Sequence, residues 1–251
     1  MVLRTTLENY LNEFLKIKLI NDYCPNGLQI EGKSQIKTIV TGVSANLALL
    51  KAAIKKKADA IIVHHGYFWK GEANQITGVK YQRIATLIKD NINLFAYHLP
   101  LDIHPQLGNN VMLAQKLACE VISAFDTNTQ PSYGLLCQSK AISLEELQQK
   151  IEKNLKRKPL VVGPNKQLIQ KIAICTGGAQ DFIEAAFKAG ADVYISGEIS
   201  ERTTHMAHEL GISYIAAGHH ATERYGIKAL GEHLADKFKL VHHFIDIDNP
   251  V

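Results

Sequence analysis

A short pattern is written twice in this chain, first as IVTGVS (residues 39–44) with ADAIIVHHG (58–66), then as IAICTGGA (172–179) with ADVYISGE (191–198). Each copy is typical of a strand, a Thr-Gly turn, a helical stretch, an Ala-Asp pair and a second strand. A third apolar run follows each copy, at residues 92–97 and 212–217. Strands that alternate with helical segments predict α/β architecture with crossover connections. We therefore expect two pseudo-repeated α/β halves.

The segment between the two copies sets the predicted boundary between the halves. Residues 126–170 break the repeat, since they contain three prolines and an amphipathic helix whose Ser143 and Glu146 fit a capping box. We assign the first half to residues 1–125 and the second to residues 126–251, with 126–170 as the connecting segment. The halves are expected to be intertwined, to contain mixed sheets and to hold a metal site between them.

Composition is that of an ordinary globular protein. The chain has 251 residues, of which 46% are hydrophobic and 21% charged, and its formal net charge is +4. Its longest apolar runs fall well short of the ~20 residues needed to cross a bilayer. The N-terminal stretch has the pattern of an amphipathic helix and not of an export signal. We therefore expect a cytoplasmic protein with no membrane partner, and the small positive charge does not indicate a nucleic-acid partner.

Histidines and carboxylates cluster where the predicted strands end. The residues concerned are His64 and His65 after the second strand, His98 and Asp102 after the third, and His219, His220 and Glu223 after the matching run of the second half. His219 and Glu223 are four residues apart, so a helix would place them on one face. Because open α/β folds bind ligands at the carboxyl ends of their strands, we expect these side chains to line one crevice.

The types of these side chains point to metal binding. Three imidazoles and two carboxylates form a mixed nitrogen and oxygen set that suits zinc, iron or manganese, and the choice among these stays open. The predicted metal ligands are His64, His65, Asp102, His219 and Glu223. The set is larger than one catalytic ion needs, so we expect two divalent ions per chain, bridged by Asp102 or Glu223. His98 and His220 are expected to orient ligands or to transfer protons.

The sequence around these residues resembles a known family. The matching motifs are residues 64–71 (HHGYFWKG), 97–102 (YHLPLD), 196–201 (SGEISE), 218–224 (GHHATER), 25–29 (PNGLQ) and 244–250 (FIDIDNP). They are similar to those of the YbgI-like family, which is also named for NGG-one-interacting factor three and whose members are labelled GTP cyclohydrolase I type 2. The resemblance covers essentially the whole chain. It implies a dinuclear metal site with the same five ligands and a toroidal homohexamer whose site opens toward a central cavity.

The expected function is that of a metal-dependent hydrolase acting on a nucleotide-like or phosphorylated small molecule. A cyclohydrolase reaction needs a group that protonates the departing ring nitrogen, and His98 or His205 could supply that proton. Phosphoester hydrolysis needs a cationic side chain near the phosphate instead, and Arg202, Arg224 and Lys70 lie in or beside the relevant loops. The residues leave both reactions open. The predicted catalytic residues are His98, His205 and His220.

An alternative from another class is a non-enzymatic metal-binding ring protein that binds a protein or a single-stranded nucleic acid. The aromatic run at residues 67–69 fits either class, since it could stack on a base or form an oligomer contact. Coordination favours the enzyme. Five protein ligands shared by two ions leave positions open for water, whereas four side chains normally close a structural zinc site.

Overall fold

The computed structural model describes three ranges of the chain, residues 1–125, 131–166 and 168–251. The described residues divide into two compact units, and each unit is built from two separate segments. Unit 1 comprises Met1–Leu101 and Gly226–Asp248, and unit 2 comprises Asp102–Tyr225 and Asn249–Val251. The beginning of the predicted connecting segment, residues 126–130, lies outside the described residues.

Helices and strands alternate along most of the chain. In chain order the described residues form β1 (Val2–Leu3), α1 (Arg4–Phe14), a 3₁₀ turn (Ile17–Leu19), β2 (Gly27–Ile30), β3 (Gln35–Ile36), β4 (Thr38–Ser44), α2 (Leu47–Lys55), β5 (Ala60–His65), α3 (Gly78–Lys89), β6 (Asn93–Ala96), α4 (Leu99–Asp102), α5 (Asn109–Lys116), β7 (Glu120–Ala124), β8 (Leu135–Ile142), α6 (Leu144–Leu155), β9 (Leu160–Val162), β10 (Ile169–Cys175), a second 3₁₀ turn (Gln180–Phe182), α7 (Ile183–Lys188), β11 (Val193–Ser196), α8 (Glu201–Leu210), β12 (Ser213–Ala216), α9 (His219–Phe238) and β13 (Val241–Phe244).

Unit 1 contains a mixed sheet with the strand order β13-β4-β5-β6-β2. The strands β13, β4, β5 and β6 are parallel, and β2 pairs antiparallel with β6. The central strand β5 is apolar from Ala60 to Val63, and these residues are fully buried. Such a continuous apolar run is typical of a parallel strand that is covered on both faces.

Unit 2 contains a mixed sheet with the strand order β7-β8-β10-β11-β12-β9. Its three central strands, β10, β11 and β12, are parallel, while β8 and β9 pair antiparallel with them. The parallel trio repeats the trio β4, β5 and β6 of unit 1 in the same spatial order. The prediction of α/β architecture with mixed sheets and a duplicated strand pattern is therefore confirmed.

The repeated Ala-Asp pair has the same structural role in both units. Asp59 Oδ2 accepts hydrogen bonds from the backbone N–H groups of Lys37 and Thr38, each at 2.9 Å, where β4 begins. Asp192 Oδ2 accepts from the N–H groups of Gln170 and Lys171, also at 2.9 Å, in β10. The aspartate that precedes the second strand of each copy thus anchors the start of the first strand.

The connecting segment does more than join the halves. It contains α6, whose predicted capping box is confirmed, because the Glu146 N–H donates to Ser143 Oγ and the Ser143 N–H donates to Glu146 Oε2. It also contributes β8 and β9 to the sheet of unit 2. In that sheet β8 lies next to β10 and β9 lies next to β12, on opposite sides of the three parallel strands. Neither strand belongs to the sequence repeat, so the sequence pattern did not assign them to a sheet.

The two packing units differ from the halves 1–125 and 126–251 drawn from the sequence. Residues 102–125 belong to unit 2 because β7 pairs antiparallel with β8. The chain returns to unit 1 within α9, and β13 then pairs with β4. Within the described ranges, no helix has both the length and the apolar character required to cross a membrane.

Candidate metal centre

One group of histidines gathers at the C-terminal end of β5 in unit 1. The strand ends in His64 and His65, and the pairing of Ser44 with His65 keeps this end in register with β4. The His64 ring is buried, and its Nδ1 lies 3.0 Å from the carbonyl oxygen of Tyr97. Because a carbonyl only accepts, His64 Nδ1 is the donor of this hydrogen bond. His65 Nδ1 lies 3.0 Å from Ser44 Oγ.

A buried carboxylate fixes the ring of His98 in the same unit. His98 Nδ1 lies 3.0 Å from Asp22 Oδ1, and the His98 backbone N–H donates to Asn26 Oδ1 at 2.7 Å. The other oxygen of Asp22 accepts from Asn26 Nδ2 at 2.9 Å and from the Leu99 N–H at 3.0 Å. Burial raises the pKa of Asp22, but the hydrogen bonds and the attraction to His98 outweigh it and lower the pKa to about 2. Asp22 is therefore a carboxylate that accepts the Nδ1 proton of His98.

The three imidazoles of unit 1 lie side by side. The ring centroids of His64 and His65 are 4.5 Å apart, and the His98 centroid lies 5.0 Å from that of His64 and 5.7 Å from that of His65. One ligand atom of each histidine lies within 4.8 Å of those of the other two. Trp69 packs edge-on against His98 at 5.0 Å. Imidazoles at this spacing could hold a divalent metal ion.

In unit 2 an imidazole lies between two carboxylates. His219 begins α9, and its Nδ1 lies 2.6 Å from Glu198 Oε1 while its Nε2 lies 3.2 Å from Glu223 Oε1. Burial lowers the pKa of His219, but hydrogen bonds and attraction from Glu223 and Glu198 outweigh it and raise the pKa to about 9. A carboxylate on the far nitrogen is the usual means of orienting a metal-binding histidine. His219 and Glu223 could therefore bind one ion together.

The Thr-Gly turn that follows β10 is shaped around the Glu223 carboxylate. Gly177 has a φ of +71°, and a Cβ at this position would lie 2.3 Å from Glu223 Oε1. The Gly177 N–H donates to Thr222 Oγ1 at 3.1 Å, and that hydroxyl donates to the His219 carbonyl at 2.9 Å. Glycine is needed here because a side chain would displace the carboxylate and because the backbone is left-handed.

Asp102 is a further buried carboxylate of unit 2. Its Oδ1 accepts from Asn109 Nδ2 at 2.8 Å and from Thr176 Oγ1 at 3.3 Å. A carboxylate oxygen of Asp102 lies within 4.8 Å of one from Glu223. Two neutral donors thus orient the Asp102 carboxylate in the way that supporting residues orient metal-binding carboxylates.

The other predicted site residues of unit 2 have different surroundings. His220 is buried in the first turn of α9, and its backbone N–H donates to the Val251 carbonyl at 3.0 Å. His205 is exposed on α8, 3.9 Å from Glu201. Arg224 donates to a backbone carbonyl at the end of α6. Unit 1 therefore brings together His64, His65 and His98, unit 2 brings together Asp102, His219 and Glu223, and His205 belongs to neither group.

Two residues that support these groups were not predicted to have such a role. Glu198 follows β11, which corresponds in the repeat to β5, the strand that ends in His64 and His65. The position of Glu198 in the repeat could therefore have indicated a site residue. Asp22 lies in the irregular segment that precedes β2, where no periodicity marks it. Only the fold shows that Asp22 lies against His98.

The fold and these side chains define a class, an α/β protein with mixed sheets and buried histidine and carboxylate groups that could hold metal ions. The chain belongs to the Duf34/NIF3 (NGG1p interacting factor 3) family, whose model matches residues 2–250. The family resemblance seen in the sequence is thereby confirmed.

Relatives match the chain over nearly its whole length. A protein of Vibrio cholerae serotype O1 named GTP cyclohydrolase 1 type 2 homolog is 56% identical over 249 residues, with 98% of each chain covered. A solved structure described as the structural-genomics protein ybgI, of unknown function, is 47% identical with a TM-score of 0.96 and full coverage of both chains. The structure of TTHA1606 from Thermus thermophilus is 31% identical with a TM-score of 0.90, again with full coverage.

Proposed function

We propose that this protein is a metal-dependent hydrolase that uses two divalent ions. The proposed ligands are His64, His65, Asp102, His219 and Glu223. The observation that carries the proposal is the position of His219, whose Nδ1 faces Glu198 and whose Nε2 faces Glu223. A histidine held by a carboxylate in this way presents its second nitrogen to a metal. The cyclohydrolase name of the relatives supports a hydrolase.

The side chains around the ligands hold them ready for metal binding. The turn at Gly177 leaves room for the Glu223 carboxylate, and Asn109 with Thr176 orients that of Asp102. Bound divalent ions would supply Lewis acidity and a water of lowered pKa. The mixed nitrogen and oxygen ligands suit zinc, iron or manganese.

Proton transfer to the leaving group requires a further titratable side chain near the ligands. We assign this step to His220, which is buried directly after the proposed ligand His219. The predicted role of His205 in this step has less support, because this residue is exposed on α8 and belongs to neither group of possible ligands. His98 lies beside His64 and His65, which favours metal binding over proton transfer for this ring.

The proposed substrate is a nucleotide-like or phosphorylated small molecule. Its support is the cyclohydrolase name of the relatives and the aromatic ring of Trp69, which lies 5.8 Å from His65 and borders the histidine group. A base could stack on such a ring. Tyr67 is unsuited to this role because it is buried and its hydroxyl donates to the Ala45 carbonyl.

The proposed assembly is a homohexamer, as the family resemblance implies. Light scattering on the purified protein measures the number of chains directly. A mass of six chains supports the ring, whereas a stable monomer contradicts it.

The proposal is tested by metal content and turnover measured together. Metal-free protein is reconstituted with zinc, iron(II) or manganese and assayed with GTP, nucleotide phosphomonoesters and a phosphodiester. The test variant is Glu223→Gln, which keeps the shape but removes a charged ligand. The matched control is Glu209→Gln on the exposed side of α8. We expect two ions per chain in the wild type and the control, and loss of at least one ion with about 100-fold lower turnover in Glu223→Gln.

Two results would contradict this function. Wild-type turnover in Glu223→Gln would place the active site elsewhere. Two bound ions without turnover on any substrate would favour the non-enzymatic ring protein. Its binding to single-stranded nucleic acid should then weaken steeply as salt is raised.

A further inference from the structure

The aromatic run that follows β5 is held by one amide side chain of unit 1. Gln29, in β2, donates from Nε2 to the Tyr67 carbonyl at 3.0 Å, and its Oε1 accepts from the Tyr67 backbone N–H at 2.7 Å. The same Nε2 donates to the Pro25 carbonyl at 2.9 Å. Because a backbone N–H only donates and a carbonyl only accepts, the orientation of the amide is determined. Gln29 thus satisfies both backbone groups of Tyr67.

The residue before Tyr67 leaves room for this amide. A Cβ on Gly66 would lie 2.3 Å from Gln29 Oε1 and 2.5 Å from Ala96 Cβ. Gly66 comes directly after β5, so the chain passes against Gln29 as soon as the strand ends. The two motifs PNGLQ (residues 25–29) and HHGYFWKG (residues 64–71) therefore meet at this pair of hydrogen bonds.

The rest of the aromatic loop, defined as residues 67–70, has anchors of its own. The Lys70 N–H donates to the Tyr23 carbonyl at 2.8 Å. Glu72 Oε2 accepts from the N–H groups of Phe68 and Trp69 at 3.0 and 3.3 Å. Phe68 has a left-handed φ of +67°, which a bulky residue adopts where the surrounding contacts impose it. The aromatic loop is therefore fixed at both ends and between them.

The side chain that these anchors position is the indole of Trp69. Its ring centroid lies 5.0 Å from that of His98, and 5.8 Å from those of His65 and Tyr23. Trp69 is partly exposed, and Tyr23 is 51% exposed. The indole thus borders the histidine group and still has surface in contact with solvent. A flat heteroaromatic ring gains free energy by stacking on such a surface.

We infer that Gln29 is a positioning residue, which holds Trp69 in place to bind the heteroaromatic ring of the substrate beside the histidine group. Gln29 acts through the backbone of Tyr67 and not through contact with the ligand. The inference rests on the proposed function and narrows its substrate class to molecules with a flat ring, because a phosphorylated molecule without such a ring gains nothing from the indole.

The first measurement needs no substrate, because Trp69 is the single tryptophan of the chain. Its fluorescence therefore reports on the aromatic loop alone. The test variant is Gln29→Met, which keeps the length of the side chain and removes both hydrogen-bonding groups. The matched control is Gln82→Met on the exposed side of α3. We expect stronger quenching by acrylamide and lower anisotropy in Gln29→Met, and wild-type values in the control.

The second measurement is the binding of a flat ring. Guanosine and ribose 5-phosphate, which lacks the base, are titrated into each protein. Guanosine should quench Trp69 in the wild type and bind about 10-fold more weakly in Gln29→Met, because stacking depends on where the indole is held. Ribose 5-phosphate should leave the fluorescence unchanged. In metal-loaded protein, Gln29→Met should raise KM for GTP and leave kcat and the ion content unchanged, a separation that general destabilisation would not produce.

Unchanged Trp69 fluorescence in folded Gln29→Met overturns the inference, and so does wild-type affinity for guanosine in that variant. If Gln29→Met does not fold, Gln29→Glu decides, since it keeps the acceptor for the Tyr67 N–H and loses the donor. Weaker guanosine binding in Gln29→Glu supports the inference, and wild-type binding overturns it.

The wild type separates this inference from the proposed function. Two bound ions and turnover of GTP, without quenching by guanosine, overturn the inference and leave the hydrolase intact. Quenching by guanosine in a protein that binds no ions and shows no turnover supports the ring site and contradicts the hydrolase.

Discussion

Gly177 is the residue on which the position of Glu223 depends most directly. We expect Gly177→Ala to displace the Glu223 carboxylate, because the new Cβ would lie 2.3 Å from its Oε1. The variant should lose about 1–2 kcal/mol of stability through its left-handed backbone and at least one bound ion. Thermal unfolding and metal analysis measure the two effects.

The control for this substitution is Gly190→Ala. Gly190 has a similar φ of +78° but no atom within 4 Å of the Cβ position. The Gly190→Ala variant should therefore lose comparable stability and keep its metal ions. Equal metal loss in both variants would mean that backbone strain, and not displacement of Glu223, is responsible.

The raised pKa of His219 predicts how metal binding depends on pH. With a pKa of about 9, the ring is protonated at neutral pH in the metal-free protein, and an ion must displace the proton that faces Glu223. Apparent Zn²⁺ affinity should therefore rise by up to about tenfold per pH unit between pH 7 and 9 and then level off. Competition with a chelator at several pH values measures this dependence.

Glu198→Gln tests the cause of this dependence. Removing one of the two carboxylates should lower the pKa of His219, so the rise in affinity should end at a lower pH. NMR titration of the metal-free ring gives the pKa directly. An unchanged pKa would show that Glu198 does not act on His219 in solution.

Residues of the candidate site differ in how far the sequence could identify them. His64 and His65 end β5, and His219 and Glu223 follow β12, and both strands are parallel strands that the repeated pattern predicted, so the places of these residues could be predicted from the sequence. Asp22 could not be found in this way, because it lies in a segment without regular structure. Its partner His98 is 76 positions away in the sequence. The role of Gly177 was equally hidden, since a Thr-Gly pair indicates a turn but not the carboxylate that it accommodates.

At the scale of elements, the aspartate anchors of β4 and β10 should stabilise the two sheets independently. We expect Asp59→Ala and Asp192→Ala each to lower the free energy of unfolding by about 1–2 kcal/mol, because each removes the acceptor of two backbone N–H groups. The anchors belong to different units, so the double variant should show the sum of the two losses. Denaturant unfolding measures each value.

An exposed aspartate provides the comparison for these variants. Asp236→Ala, on the exposed side of α9, should change stability by less than about 0.5 kcal/mol. If Asp59→Ala costs no more than this control, the shared Ala-Asp pair does not anchor the strands.

The parallel strands could be predicted and the antiparallel ones could not. β4, β5, β10 and β11 are apolar runs that recur with the same turn and the same Ala-Asp pair. β8 and β9 pair antiparallel and lie in the segment between the repeats, where prolines suggested a connection. Pairing between strands far apart in sequence leaves no local pattern, so the sheet order of unit 2 required the structure.

At the scale of the molecule, unit 1 depends on residues from both ends of the chain. A chain truncated after Tyr225 lacks β13 and most of α9, so β4 becomes an open edge strand. We expect this chain to be aggregation-prone, with rapid proteolysis of unit 1. Truncation after Asp248 keeps β13 and should preserve resistance to protease. Equal resistance of both truncated chains would show that β13 is dispensable.

Domain limits were the least predictable feature for the same reason. A repeat indicates where similar segments begin, and the halves 1–125 and 126–251 followed from that alone. It does not reveal that β7 pairs with β8 or that the chain returns through α9 to the first sheet. Both depend on contacts between segments that share no sequence pattern.

The pairing of β4 with β13 also has a consequence for folding during synthesis on the ribosome. About 200 residues separate the two strands, and synthesis adds 5–20 residues per second. β13 is therefore made roughly 10–40 s after β4. During that interval the nascent chain displays an open row of backbone donors and acceptors. Holding chaperones, or slow concentration-dependent refolding in the test tube, are the expected signs of that delay.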